Sequence, residues 1–354
     1  EERILFNAAA VAQNGKILGV YRKQLLPNYS VFDEERYFTP GPSIQDIFTC
    51  NGIPFAVSIC EDLWVGDPTE QQAQQGAKLC ISINGSPFHR NKPTQRDDLV
   101  SSRAQSNGVV VAYVNQIGGQ DELVFDGGSM VADARGVIQA RAATFAEDLL
   151  VCEVNAQGDV VCVSPQHEVE RASSELERVH AALVLGTRDY VKKNGFTDVV
   201  IGLSGGIDSA LVAAIAVEAL GAEHVHGVSM PSRYSSDGSK DDALALAENL
   251  NIPYQSVPIE PAFAAYLSML EEGFAGKAED LTEENLQSRV RGMILMALSN
   301  KHGWMVLTTG NKSELAVGYF TLYGDSVGGF GIIKDVLKTT VYELCEWVNE
   351  RAGA

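Results

Sequence analysis

Cysteine is scarce in this chain: six among 354 residues, at positions 50, 60, 80, 152, 162 and 345, with no Cys-x-x-Cys pair and no Cys/His spacing of a zinc site. That excludes a disulfide framework and a structural zinc domain, and the pattern reads as reduced thiols in a cytoplasmic protein. Long apolar runs are missing too. The longest, Ala210 to Val217, falls well short of the about 20 residues that cross a bilayer, so no membrane span is expected. Basic charge is in short supply: 27 Lys and Arg against 46 Asp and Glu leave a net charge of −19. Such a surface repels a phosphate backbone, so no nucleic-acid partner is expected, and any anionic ligand requires basic groups gathered locally. Internal repeats and low-complexity tracts are absent.

What is present suits a folded protein, with 45% hydrophobic and 21% charged residues, and the length suits two domains. In the first part, short apolar runs at 55–59, 78–83, 109–114, 129–132 and 149–154 alternate with turn residues and predict strands. Helical patterns at 68–75 and 96–107 lie between them, which indicates an α/β layered domain. After Pro165 the texture changes. A helix is predicted over 168–193, followed by strand 198–203, helix 208–220, strand 224–229, helix 240–251 and strand 254–257. This alternation predicts a doubly wound parallel sheet. A further helix is expected over 283–300, with Leu286, Val290, Met293, Ile294, Ala297 and Leu298 forming its apolar stripe, then a strand at 304–308. The two domains are placed at 1–158 and 165–354.

Gly202-Leu203-Ser204-Gly205-Gly206-Ile207-Asp208-Ser209 falls between a predicted strand and a predicted helix. Adjacent glycines let the backbone approach a ligand, and the helix N-terminus offers N–H groups and a positive dipole end to a phosphate. No Lys follows the glycines, and their spacing fits neither the Lys-bearing P-loop nor a dinucleotide turn. Ser204 and Ser209 can donate to pyrophosphate, whereas Asp208 makes sense with Mg²⁺ between it and phosphate. The competing reading is a Gly-rich turn in which Asp208 and Ser209 merely cap a helix.

The segment Ser204–Ser209 resembles the SGGxDS signature of the PP-loop ATP pyrophosphatases, whose members adenylate an oxygen with ATP and let a nucleophile displace AMP. Ser229-Met230-Pro231-Ser232, Thr282 to Gln287 with Arg289 and Arg291, Thr309-Gly310-Asn311-Lys312-Ser313-Glu314 and Tyr323-Gly324-Asp325 narrow this to a resemblance to NAD synthetases. The resemblance implies that Gly202 to Ser209, Thr309 and Lys338 contact ATP. It also implies that Asn285, Arg289 and Glu314 serve deamido-NAD, and that Asp208 and Glu314 serve Mg²⁺. The spacing of Asn285, Arg289 and Gly292 puts them on one helix face, where a guanidinium and an amide could meet a dinucleotide; the alternative is a solvated face. Lys338 alone would pass for a surface lysine.

In the first part, Cys60 ends the apolar run 55–59 and precedes Glu61-Asp62-Leu63-Trp64. A thiol at a strand's carboxyl end is expected to open to a crevice beside free N–H groups fit for an oxyanion hole. The other five cysteines are expected to pack as small apolar residues. With Tyr21 to Tyr29 upstream and Ser82 to Phe88 downstream, Cys60 resembles the nucleophile of the nitrilase superfamily, in particular the glutaminase domain joined to NAD synthetase. The fold this implies is an incomplete α/β/β/α sandwich. By position, Lys23 would stabilise the tetrahedral oxyanion, and Tyr29, Phe32, Ser86 and Lys92 would contact glutamine. The family's general-base Glu has no counterpart upstream of Lys23. Glu34 and Glu61 are the nearby carboxylates, and neither is assigned that role. The family's C-terminal segment has no counterpart either, so the reading expects truncation at both ends.

Together the resemblances imply glutamine hydrolysis feeding ammonia to ATP-dependent amidation of deamido-NAD, in a cytoplasmic homo-oligomer. Two alternatives stay open: another PP-loop amidotransferase, and a nucleotide-binding or assembly protein whose glutaminase half is inactive.

Overall fold

The computed structural model describes residues 4–163 and 174–353. They divide into two compact units. One runs through Gly118 and resumes at Leu123; the other holds Gly119–Glu122 and everything described from Ser174 onward.

In the first unit, β1 (Ala8–Gln13) and β2 (Lys16–Arg22) form an antiparallel pair closed at Asn14-Gly15, both in the left-handed region that such a tight turn demands. Next come β3 (Phe48–Cys50), β4 (Ile53–Ile59), α1 (Glu61–Val65), α2 (Asp67–Gln74), β5 (Leu79–Asn84), α3 (Lys92–Asn107) and β6 (Val110–Asn115). A short hairpin of β7 (Ile117–Gln120) and β8 (Leu123–Asp126) follows, then β9 (Met130–Ala132), β10 (Ile138–Arg141), and the antiparallel pair β11 (Cys152–Val154) and β12 (Val160–Cys162). The main sheet has the order β10-β9-β6-β5-β4-β3, with β4, β5 and β6 parallel and the outer pairings antiparallel.

Ala56 through Ile59 are buried without alternation because the sheet is covered on both faces. On one face Tyr21, Phe48, Val57 and Ile59 pack with Ala9 and Val11 of the first strand pair. On the other, Leu63, Val100 and Ala104 of the helices close over Cys80, Val111 and Tyr113. This is the helix-on-sheet-on-sheet layering of the expected sandwich.

The second unit runs α4 (Glu175–Lys193), β13 (Val199–Gly202), α5 (Ile207–Leu220), β14 (Val225–Ser229), α6 (Asp237–Leu250), β15 (Tyr254–Ser256), α7 (Glu260–Phe274), α8 (Leu281–His302), β16 (Met305–Thr308), α9 (Lys312–Val317), β17 (Phe330–Gly331) and α10 (Lys338–Ala352). Its sheet is parallel throughout, in the order β15-β14-β13-β16-β17. Chain order therefore reverses between β13 and β16. At such a switch point the loops leaving the two strands diverge and open a crevice at their carboxyl ends. Val199, Ile201 and Leu203 pack on one side with α5 and α10, and Val200, Val228 and Val306 pack on the other with Val290 and Leu295 of α8.

Several expectations need correction. Of the run 149–154, only Cys152–Val154 is strand. The helix predicted from 168 starts at Glu175, where Ser174 Oγ caps it by accepting from Glu177 N at 3.1 Å; residues 168–173 lie outside the described residues. On α8, Met293 and Ala297 are exposed, and Gln287 and Leu295 are buried instead, because α8 meets a sheet on one side and its own downstream loop on another. Among the cysteines expected in the core, Cys80 is buried but Cys50 is exposed at a strand end. Cys152 and Cys162 are only partly buried and stand directly opposite each other in the β11–β12 register; Cys345 is also partly buried.

Candidate functional site

Two constellations stand out, one in each unit. In the first, β4 ends at Cys60, whose φ of 49° is left-handed, a conformation costly for any residue with a Cβ. The strained turn from β4 into α1 leaves the thiol 9% exposed. The Cys60 N–H is not free for an oxyanion, contrary to expectation, since it donates to Ile83 O at 3.0 Å. The Gly85 backbone N–H, at the end of the neighbouring strand, instead donates to the sulfur. Burial pushes the Cys60 thiol up; Lys23 and the Gly85 N–H pull it back, and Glu61 and Glu34 oppose them.

Lys23 is 1% exposed and its Nζ donates to Glu34 Oε1 at 2.6 Å. Glu34, unassigned from sequence, is thus the carboxylate that neutralises this buried cation next to the nucleophile. Tyr29 donates to both oxygens of Glu61, at 3.1 and 3.0 Å, and stacks edge-on against Phe32. Burial and the Glu61 carboxylate push the Tyr29 hydroxyl up to about 12. Lys92 begins α3, lies 3.6 Å above the Trp64 ring, and is lowered by burial and by Arg96 while Cys60 and Glu61 oppose the shift. Cys60, Lys23, Tyr29 and Lys92 are therefore gathered in one place. Phe32 joins through Tyr29.

Ser86 is buried one step behind. Its N–H donates to Asn115 Oδ1 at 3.0 Å, while its carbonyl accepts from Arg96 Nη2 at 2.9 Å. Arg96, 2% exposed, is itself paired with Asp126. Sequence reading saw Arg96 only as a helix start, because its partner is thirty positions away.

In the second unit, the loop after β13 and the loop after β16 flank a cavity of about 460 Å³ at the switch point. Ser204, Asp208, Ser209, Thr309, Gly310 and Glu314 line it. The loop braces itself: Ser209 Oγ donates to Gly206 O at 2.9 Å and lies 3.2 Å from Ser204 Oγ, which accepts from Gly206 N. Gly205 has φ of +79°, and a Cβ there would sit 2.4 Å from Ser239 O of α6. The loop can follow this path against α6 only with glycine. α5 then starts at Ile207 with no side-chain cap on its first turn. Asp208 accepts from Asn311 Nδ2 at 3.1 Å and pairs with Lys338 Nζ, bringing three chain segments together. Asn311 and Glu314 form a reciprocal capping box at the start of α9, so Glu314 is held at the cavity wall.

Asn285 and Arg289 hold the loop that follows α9. Asn285 Oδ1 accepts from Thr321 Oγ1 at 2.8 Å, and Arg289 Nε donates to Leu322 O at 3.2 Å. Gly292 lets that same loop approach, a Cβ there meeting the Tyr323 and Gly324 carbonyls at 3.0 Å. The cavity is lined on this side by Ser288 and Arg291, with Lys240 opposite, none of them assigned from sequence. Arg291 donates through Nε to Met230 O at 3.0 Å. A helix-face argument could have found Arg291 one turn below Gln287, but not its direction.

Asp208 and Glu314 both present carboxylates to the cavity, where a cation could meet them. Among the described residues no group of three or more His, Cys, Asp or Glu is arranged for a metal. Two cavity carboxylates fit Mg²⁺ that keeps its waters and arrives with phosphate oxygens, the usual habit of that ion.

Residues 1–158 match the carbon-nitrogen hydrolase family and residues 179–351 match the NAD synthase family. The chain is 47% identical to the glutamine-dependent NAD(+) synthetase of Thermotoga maritima, over 98% of this chain and 66% of that protein. It is 48% identical to that of Xylella fastidiosa strain Temecula1, over 98% of this chain and 64% of the relative. The solved structure of glutamine-dependent NAD+ synthetase from Acinetobacter baumannii in complex with ADP superposes with a TM-score of 0.94 at 44% identity, covering 98% of this chain and 65% of that one. The chain thus spans about two thirds of the length of the curated relatives it matches. With both halves matched in order and identity near one half across almost all of its residues, the chain belongs to the glutamine-dependent NAD(+) synthetase family.

Proposed function

We propose that this protein makes NAD⁺ from deamido-NAD⁺, ATP and the amide nitrogen of glutamine, with residues 1–158 releasing ammonia and residues 165–354 using it. The observation that carries the reading is the pairing, in one chain, of a strained nucleophilic cysteine beside a buried lysine with a phosphate loop at a parallel-sheet switch point.

In the first half, Cys60 Sγ adds to the glutamine carboxamide carbon, and the negative charge on oxygen is met by Lys23 Nζ, which is available without solvent reorganisation because it is already desolvated. The proton given up by the thiol passes to the amide nitrogen, so collapse expels ammonia and leaves a γ-glutamyl thioester, which water hydrolyses to glutamate and the free thiol. Tyr29, Phe32, Ser86 and Lys92 shape the glutamine pocket.

In the second half, the backbone of Gly202 to Ser209 and the first turn of α5 cradle the triphosphate, with Thr309 and Lys338 completing the ATP site. The nicotinate carboxylate of deamido-NAD⁺ attacks the α-phosphorus, pyrophosphate leaves, and ammonia displaces AMP from the mixed anhydride to form the amide. Asn285, Arg289 and Glu314 serve the dinucleotide, the first two by holding the 321–325 loop that borders the cavity. Asp208 and Glu314 would hold Mg²⁺, which supplies positive charge to the departing pyrophosphate. Lys338, paired with Asp208, supplies a second cation there. The same reading makes the enzyme cytoplasmic, where its substrates are, and a homo-oligomer paired through the synthetase half, where Val317, Tyr319, Leu322 and Tyr323 are exposed.

Purified protein supplied with ATP, Mg²⁺, deamido-NAD⁺ and ammonium should yield NAD⁺, AMP and pyrophosphate in equal amounts. Amidation of a different acid under these conditions, with deamido-NAD⁺ untouched, would replace this reading with that of another PP-loop amidotransferase.

A further inference from the structure

Asp62 is completely buried two residues after Cys60, and among the described residues no lysine, arginine or histidine pairs with it. Its Oδ1 accepts from Gln24 N at 3.1 Å and Leu25 N at 2.9 Å. Its Oδ2 accepts from Tyr21 Oη at 2.8 Å and Ile59 N at 3.2 Å. Three of these partners are backbone N–H groups that can only donate and the fourth is a hydroxyl set to donate, an arrangement that suits the ionised carboxylate; burial pushes the Asp62 carboxyl up, and these hydrogen bonds pull it back. Burying a charge without a counter-ion is expensive, and a purely structural turn could be held by neutral groups at less cost.

The identity of the four donors explains the expense. Tyr21 lies two residues before Lys23, Gln24 and Leu25 are the two residues after it, and Ile59 immediately precedes Cys60. One carboxylate therefore grips the chain on both sides of the lysine and on the approach to the nucleophile. The remaining anchors of Lys23, its N–H to Asn7 O and its carbonyl from Gly41 N, each at 2.8 Å, and its Nζ to Glu34, do not reach the Cys60 strand. We infer that Asp62 is a positioning residue that sets the placement of Lys23 Nζ relative to Cys60 Sγ. The inference rests on the reading of Cys60 as the glutaminase nucleophile.

The groups acting on the thiol are Lys23, Glu34, Glu61 and the Gly85 N–H, with Lys92, Tyr29 and Tyr113 close by. Of these, Lys23 is the side chain that favours the thiolate most. The test is the pH dependence of Cys60 alkylation by iodoacetamide, followed by peptide mass spectrometry, in the wild type, D62N, Y21F and K23M. Urea denaturation and near-ultraviolet circular dichroism of each variant serve as the control for folding of the first unit.

D62N keeps the shape but turns one acceptor arm into a donor, against donors. It should raise the apparent pKa of Cys60 alkylation toward that of K23M and lower kcat with glutamine about a hundredfold with a smaller change in KM, as a displacement near 1 Å does. Y21F should move both in the same direction by about tenfold, having removed one donor of four. A carboxylate acting merely through its charge would do the reverse, since removing a negative charge lowers a nearby thiol pKa. An unchanged or lowered alkylation pKa in D62N, with kcat on glutamine near wild type, overturns the inference. If D62N unfolds the first unit by those measures, Y21F decides by the same criteria. Failure of the wild type to turn over glutamine would sink the functional reading instead, and the alkylation profile would still report on Asp62.

Discussion

The phosphate loop offers a sharp contrast between two adjacent glycines. At Gly205, φ is +79° and an added Cβ would lie 2.4 Å from Ser239 O and 2.9 Å from Ser239 Cα, both in the backbone of α6. Neither atom can rotate away. G205A therefore combines a left-handed alanine, costing roughly 1–2 kcal/mol, with an overlap about 1 Å inside ordinary contact that costs roughly 1–3 kcal/mol. At Gly206, φ is −92° and ψ is 158°, an extended conformation open to any residue, and the nearest atom is the rotatable Ser204 Oγ at 3.2 Å. G206A should leave folding stability unchanged or raise it by about 0.4–1 kcal/mol through the unfolded chain. Calorimetry without ligand should show the transition of the second unit falling by roughly 4–20 °C in G205A and holding in G206A. Isothermal titration should show ATP affinity falling at least about tenfold in G205A, because its loop must leave α6 and the α5 N-terminus it feeds. A G205A protein with wild-type melting and ATP affinity would refute the idea that the loop is seated on α6.

Other consequences are separable by unit. K338M removes the cation beside Asp208, and pyrophosphate release should fall on the order of a hundredfold with either nitrogen source, with glutamine hydrolysis kept. R96M leaves Asp126 buried without its partner and Ser86 O with only the 3.4 Å bond from Asn115 Nδ2, so the first unit should lose about 3–5 kcal/mol in urea denaturation while ammonium-driven synthesis persists. Asp133 accepts from the backbone N–H groups of Arg135 and Val137 and from the Arg135 and Gln139 side chains, tying the β9–β10 turn. Burial works to raise its carboxyl, yet these donors win and hold it at about 2. Its folded value lies below the unfolded one of about 3.9, so its contribution is present above that value and lost as pH falls toward 2. D133A should lower stability at neutral pH by roughly 1–3 kcal/mol, with the deficit shrinking in acid, as read from denaturation curves between these pH values.

Most parallel strands were legible, β4, β6, β13 and β16 because they read as nearly unbroken apolar runs ending in turns; β17, only Phe330–Gly331, was not. The first hairpin was not read, since Ala8 to Ala12 show no alternation, although Asn14-Gly15 carries the signal of its turn. α7 was missed despite Pro261 at its start, because Tyr266 and Met269 leave its apolar positions only partly inward. Of the site, the residues in local motifs could be named: Cys60 at a strand end and the Ser204–Ser209 loop. What depended on distant partners could not. Glu34 meets Lys23 from eleven positions away, Asp62 reaches 38 positions back to Gln24, and Asn311 and Lys338 converge on Asp208 from more than a hundred positions away. Periodicity fixes which face of α8 is apolar only on average, so the arrival of Arg291 and Ser288 at the cavity, with Asn285 and Arg289 on the loop, had to come from the packing.

The central claim, that one chain takes nitrogen from glutamine at Cys60 and installs it at a separate ATP site, is tested most directly by isotope competition. Protein is given ATP, Mg²⁺, deamido-NAD⁺, amide-¹⁵N glutamine and unlabelled ammonium, and the nitrogen in the product amide is read by mass spectrometry. The wild type should place ¹⁵N in NAD⁺, and C60S should place only the ammonium nitrogen there, at the wild-type ammonium-driven rate. Transfer of ¹⁵N by C60S, or entry of neither nitrogen into deamido-NAD⁺, would contradict the account.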